Sequence, residues 1–375
     1  MNPYLEKLKA HIKANPPNFG DGESVLSMLY ECYNENNCPN LVFLCTFKHK
    51  STTSFNKFSV CCINEAGDVY ISDYDVDGHE VTFVYHLMTV EIPLKGVVFS
   101  YRFTFSDVTT GLYIDTGETS LPMKKVKIGK NKFSIEVPTG IIEGDWDKMI
   151  VKMSAKNCGV DLELKALGYP LLNGGNGTFC WQETLTHQVS VPTMETVGSI
   201  TIDGHIYTLK DNGYSWFDRQ WQDNAKNPKR LMNLAWAWMC IKLDNGDVIS
   251  VWSNPVDEQE DSFATIRHVD GTQTVTYAKP LSSGITDYWH SDNSGKDWPV
   301  GWDVELPEFD TKFHVATYPY NQEMYSEMKV PGSCYEGISK VTGTYKGMDV
   351  DARCFVEITG EWSKRCTDAG AKEVK

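Results

Sequence analysis

"NLAWAWMCIKLDNGD", residues 233–247, decides the fold. Read with period two, Trp236, Trp238 and Cys240 share one face, and Ala235, Ala237, Met239 and Ile241 share the other. Large rings on one side and small residues on the other suit a strand that lines a barrel. The rings then either fill the interior or wall a cavity for an apolar guest. The stretch ends in Asp244-Asn245-Gly246-Asp247, and an Asn-Gly centre tolerates the positive φ angles of a type I′ hairpin turn.

The same period runs outward in both directions. From residue 40 onward, "NLVFLCTFKHK", "FSVCCINEAGDVYISDY", "HEVTFVYHL", "GVVFSYRFTFS" and "KFSIEV" are short runs rich in Val, Ile, Phe and Tyr, divided by turn residues. Asp203-Gly204 and Asp270-Gly271 repeat the hairpin signal. Many antiparallel strands with few helices imply sandwiches or barrels. Only the N-terminus has helical spacing: Leu5, Leu8 and Ile12, then Val25, Met28, Leu29, Cys32 and Tyr33, with Pro16 and Pro17 between them. The expectation is a mostly β chain of two lipocalin-like antiparallel barrel or sandwich domains, at 39–195 and 196–375, after a short helical segment at 1–38.

Composition narrows the function. A chain of 375 residues that is 41% hydrophobic and 12% aromatic can bury a large core. Its net charge of −15 and short basic clusters argue against nucleic acid as a partner. The longest apolar run, "LAWAWMCI" (234–241), is far short of a membrane span. Charges run through the first residues without an apolar core, so a cytoplasmic location is expected. An odd count of 11 Cys without a C-x-x-C fits reduced, buried thiols. P-loop, H-E-x-x-H and G-x-S-x-G motifs are absent, and the 9 His are scattered, so neither a metal nor an organic cofactor is expected. The sequence is silent on oligomeric state.

Carboxylates recur among rings. "GYSWFDRQWQ" (213–222) places Trp216, Asp218 and Gln220 on one face and Phe217, Arg219 and Trp221 on the other. Asp218 is either one half of a structural pair or an acid in an apolar cleft, where burial raises its pKa and a neighbouring cation lowers it. "DYWH" sets Tyr288 and His290 beside Asp287. Glu323, Glu336 and Glu357 lie in or beside strand-like runs. An inward Glu in an apolar barrel is a natural acid–base group, and alternation alone does not tell inward from exposed.

Taken in order, "GYSWFDRQWQ", "AWAWMCIKLDNGD", "YWHSDNSGKDWPVGWDVELP", "YNQEM", "YEGISKVTG" and "CFVEITGEW" resemble the AttH/CrtC-like, lipocalin-like family of carotenoid 1,2-hydratases and kievitone hydratases. The resemblance covers roughly residues 170–362, and some fungal Diels–Alderases are its more distant relatives in fold. It implies two β domains with a ligand cleft and chemistry without an organic cofactor. Asp218, Arg219 and Trp221 match an Asp-His-x-Trp stretch of the carotenoid hydratases. Arg219 stands where those enzymes carry His, and a guanidinium does not shuttle protons near neutral pH, so carotenoid hydration itself does not carry over. Glu323 and Glu336 match the family's Gln-Glu and Glu-Gly positions.

The reading that follows is an enzyme acting on a hydrophobic isoprenoid, polyene or polyketide-like molecule. Its reaction is hydration or dehydration, isomerisation or cyclisation. Asp218, Glu336 and Glu323 are the candidate catalytic acids. Trp216, Arg219, Trp221, Trp236, Trp238, Tyr288, His290 and Glu357 are candidate substrate contacts. Two alternatives stay open: a pericyclase that works by shape alone, and a lipocalin-like carrier of lipophilic molecules.

Overall fold

The computed structural model describes residues 55–64, 69–71, 80–92, 96–129, 133–144, 148–155, 157–181, 184–209, 213–222, 234–256, 259–327 and 332–362. The helical segment expected at 1–38 lies outside them. Within them the chain is mostly antiparallel strand, and the helical pieces are 3₁₀ turns such as Leu281–Gly284.

Two sheets carry the fold. The first has 16 strands and takes every strand through Gly213–Gln222. Its centre runs Gly96–Asp107, Val81–Ile92, Phe55–Asn64, Gly213–Gln222, Thr184–Ile202, Cys158–Ala166. The second has 10 strands and begins at Trp236–Lys242. Its centre runs Val248–Val256, Trp236–Lys242, Met348–Thr359, Cys334–Tyr345. The boundary expected near residue 195 therefore falls inside the Thr184–Ile202 strand, and the change of sheet comes between 222 and 236.

Neither strand order returns to its first member among the described residues, so the expected closed barrels are open, curled sheets. The first sheet curls because one apolar cluster draws on both ends of its order: Phe103 and Phe105 from one end, Ile135 and Val151 from the other. The second curls around Trp298, Trp302, Val315, Val341 and Ile358. Each fully buried large apolar side chain contributes about 1.5–3 kcal/mol, and these inner faces supply most of the driving force.

The hairpins form where the turn dipeptides stand, by two different routes. Asp203 and Gly204 both have positive φ, 48° and 85°, and Ile202 pairs directly with His205. That is the two-residue type I′ geometry. At Asn245-Gly246 only Gly246 is left-handed, at φ 86°. The Gly246 N–H bonds back to the Leu243 carbonyl, and Leu243 N–H to Asp247 O. The loop is thus a three-residue type I turn closed by a glycine bulge, not the type I′ turn expected. Asp270-Gly271 follows the second pattern, with Gly271 at φ 89°.

The sheets meet face to face through a third cluster. Val84, Trp181, Tyr214 and Trp216 come from the first, and Trp238, Trp252, Ile338 and Phe355 from the second. Strand alternation sends one row of each strand into its own lobe and the other row into this junction. On Val81–Ile92, for example, Phe83, Tyr85 and Leu87 enter the first core while Val84 joins the junction.

Candidate functional site

The faces read from the sequence are the faces observed, but their orientation is inverted. Ala237, Met239 and Ile241 line the inside of the second lobe, while Trp236, Trp238 and Cys240 look out of it into the junction. The lobe interior that was expected to hold an apolar guest is filled by the chain's own Trp298, Trp302, Phe313 and Tyr345. Aromatic surface next to carboxylates is found between the lobes instead.

Three of the candidate carboxylates are buried, each with different company. Asp218 is on the junction face and accepts the Trp216 indole N–H at 2.8 Å and the Gln188 amide at 3.0 Å. The Gln188 carbonyl in turn accepts Trp252 Nε1 at 3.0 Å, so a polar chain crosses from one sheet to the other. Beside it, Trp238 donates to Ser250, Ser250 to Asn173, and Asn173 to Ser190. The Trp216 and Trp238 rings pack edge to face, with centroids 5.9 Å apart.

Glu336 is 3% exposed and accepts a hydrogen bond from His86 Nε2 at 2.8 Å. His86 is 4% exposed and sits on the first sheet, 250 positions away in the chain. A carboxylate and an imidazole at this distance form a unit that can take up and return a proton. Glu357 is directly opposite Glu336 across the strand pair, and it accepts Trp236 Nε1 at 3.2 Å. Trp236 packs edge to face on Trp181, with centroids 5.1 Å apart.

Glu323 has no such partner. It is buried toward the second lobe, held by Trp298 Nε1 at 2.7 Å and by the Ser291 hydroxyl. Those contacts fix it in place among core side chains. Arg219 lies on the face that the period-two reading gave it, away from the junction carboxylates. It is fully buried on the face opposite Asp218, with Phe217, and donates to the Gln220 carbonyl. Burial holds its guanidinium pKa well below the ordinary arginine value. Asp218 and Arg219 are therefore sequence neighbours that point into different compartments, not a pair.

The remaining candidates divide. Trp221 pairs through its backbone with His187 and Asn56, and its side chain lies outside the described residues. Tyr288 and His290 are on Ile285–His290, the outermost strand of the second sheet's order. His290 is exposed there and bound to Asp297 at 2.7 Å, away from the junction cluster.

Several junction residues were not singled out from the sequence. His86 lies in "HEVTFVYHL", where the available signal was its place opposite the Phe83-Tyr85-Leu87 row. Gln188 gave no signal. Arg102 pairs with Asp115 at 2.7 Å and reaches the Tyr325 carbonyl at 2.8 Å across the junction. Burial opposes its charge, but the Asp115 contact outweighs burial and raises its pKa. Ser106 to Gln322 at 2.7 Å is a second polar tie between the lobes. Elsewhere, an open cleft of about 610 Å³ lies at the end of the first lobe, lined by Met153, Cys158, Val160, Asp161 and Asp203. It contains none of the carboxylate–aromatic groups. Among the described residues no group of three or more His, Cys, Asp or Glu is arranged to hold a metal ion.

The family model described as AttH-like matches residues 96–361, which take in the whole second sheet and the first sheet from Gly96–Asp107 onward, but not the Val81–Ile92 strand that carries His86. The chain belongs to the AttH-like family. Among curated relatives, dehydratase asqC of Emericella nidulans is 29% identical over 227 residues, covering 58% of this chain and 63% of that protein. Kievitone hydratase of Fusarium solani subsp. phaseoli is 25% identical over 210 residues, covering 54% of this chain and 57% of that protein. The chain thus spans about three fifths of the length of the curated relatives it matches. The crystal structure of kievitone hydratase from Nectria haematococca has a TM-score of 0.66 at 20% identity, covering 88% of this chain and 92% of that one. At that identity the likeness speaks for the shared AttH-like fold alone. No helix among the described residues is long and apolar enough to cross a membrane.

Proposed function

We propose that this AttH-like protein is a lyase-type enzyme that adds water to, or removes it from, a hydrophobic small molecule held at the junction of the two sheets. The observation that carries the reading is the buried His86–Glu336 pair, built from opposite lobes and bordered by Trp216, Trp238 and Glu357. Relatives named as a dehydratase and a hydratase support the same reaction class.

In the dehydration direction, one member of the pair removes a proton from the carbon next to the one that bears the hydroxyl. The C–H electrons form the double bond, and the C–O bond breaks as the oxygen takes that same proton back from the pair and leaves as water. Hydration runs the same steps in reverse. Glu336 orients the His86 ring and stabilises its protonated form while the proton is in transit. Tryptophan faces stabilise positive charge that develops on carbon. The burial of the pair between the sheets keeps bulk water from it. Asp218, bound by two N–H donors, holds Trp216 and Gln188 in position.

The test is incubation with kievitone and related prenylated phenols, followed by mass spectrometry for gain or loss of one water. Turnover by the unmodified protein, with loss in both Glu336→Gln and His86→Gln, is the expected result. Full turnover in both folded variants would refute the acid–base role.

A further inference from the structure

One row of side chains in the junction carries polar atoms that nothing among the described residues satisfies. Asn254 is 2% exposed, and neither its Oδ1 nor its Nδ2 has a hydrogen-bond partner among the described residues. The same holds for Trp181 Nε1 and Thr359 Oγ1, in residues 4% and 2% exposed. An unpaired buried amide, indole N–H and hydroxyl each forfeit the hydrogen bonds they made to water in the unfolded chain. Three such residues in one place are a poor way to build a core and a good way to build a recognition site.

Strand register brings them together. Trp236 pairs with Thr359 across one neighbour. On its other side Ala237 pairs with Ser253, which sets Asn254 beside Trp236. Alternation puts Asn254 on the face of Trp252 and Ser250, whose side chains bond to Gln188 and Asn173 of the first sheet. Trp181 approaches the same spot from the first sheet, its ring against that of Trp236. Asn254, Trp236 and Thr359 thus form one cross-strand row, and Trp181 faces it.

We propose that Asn254, Trp181 and Thr359 form a hydrogen-bonding subsite that takes a neutral hydroxyl at one end of a flat, apolar ligand. The inference deepens the proposed function and rests on it for the use of the junction as the ligand site. The chemistry of the row selects the group. Asn254 offers one acceptor and one donor, Trp181 a donor, and Thr359 either. A carboxylate would leave Asn254 Oδ1 facing an acceptor and would stand close to Glu357. An ammonium would leave the Asn254 and Trp181 donors unmatched. A hydroxyl both donates and accepts, and it suits all three. Glu336 is three strand spacings from Asn254, roughly 14 Å on an ordinary sheet, and one from Thr359, so a ligand whose hydroxyl meets Asn254 is elongated, with that hydroxyl remote from the reacting carbons.

Binding alone tests the subsite, without turnover. The probes are 4-phenylphenol and its methyl ether, 4-methoxybiphenyl, which accepts a hydrogen bond but cannot donate one. Tryptophan fluorescence titration of the full chain should show at least fivefold tighter binding of the phenol. Asn254→Leu should erase that preference while leaving the thermal midpoint unchanged or higher, because an apolar side chain of similar volume removes the unpaired amide. Thr359→Val, a near-isosteric change, should reduce the preference and serves if Asn254→Leu does not fold. Glu336→Gln should keep the preference, so that failure of the acid–base mechanism and failure of this subsite give different results. Equal affinity for the two probes would mean that these groups bind only water, and would overturn the proposal. So would a preference that persists in Asn254→Leu or, where only Thr359→Val folds, is undiminished in it.

Discussion

The inside of the second lobe and the junction outside it are built from the same kind of side chain. Trp298, Trp302 and Tyr345 fill one; Trp216, Trp238 and Trp252 fill the other. Their polar partners differ. Inside the lobe, Glu323 is tied by a Trp and a Ser, both from within the same lobe. In the junction, Glu336 is tied by a histidine from the opposite lobe. A carboxylate fastened by an indole and a hydroxyl is a structural bolt. One fastened to an imidazole can exchange a proton. The aromatic surroundings are common to both and do not distinguish a core from a site; the identity of the hydrogen-bond partner does.

Substitutions should separate the two regions. The largest effect on chemistry is expected at Glu336→Gln, with turnover falling on the order of 10²–10⁴-fold in a steady-state assay. Retained activity would erase the distinction from Glu323. The largest effect on folding is expected inside the lobe. Trp298→Ala should lower unfolding free energy by about 3–5 kcal/mol in urea titration, because the vacated volume cannot collapse fully. Asp218→Asn should come next, at about 1–3 kcal/mol, since an amide group would set a donor against the Trp216 or Gln188 donor.

Asp247 gives a pH-dependent check at the end of the second lobe. Burial opposes its charge, but hydrogen bonds from His268, Tyr345 and the Val269 N–H outweigh burial and hold its pKa below the ordinary value. The folded state therefore binds fewer protons than the unfolded state in the acidic range. This contribution is complete above about pH 4 and is lost as pH falls through the folded-state pKa. Urea titrations between neutral and acidic pH should show that loss, and Asp247→Asn should flatten it. The smallest effect is expected at His290→Ala. Its ion pair with Asp297 is exposed, so stability should stay within about 0.5 kcal/mol and turnover should be unchanged. A large loss of turnover there would bring the outer strand back into the site.

Much of this molecule was legible in the sequence. Alternation sorted Trp236 and Trp238 from Ala237 and Met239 correctly, and the Asp-Gly and Asn-Gly pairs marked true hairpins. What misled was direction. Small residues such as Ala237 pack inside a tightly curled lobe, where large rings from other strands already fill the space. Alternation also put Asp218 and Arg219 on opposite faces, as they are found, because neighbours in a regular strand point to opposite sides.

Strand class, the places of the turns and the make-up of each strand face are local properties, because they depend on residues a few positions apart. Which face looks inward, and which carboxylate meets a histidine, depends on how the sheets pack. Glu336 and His86 are joined by the packing of one sheet on another, and no local pattern records a contact between strands 250 positions apart.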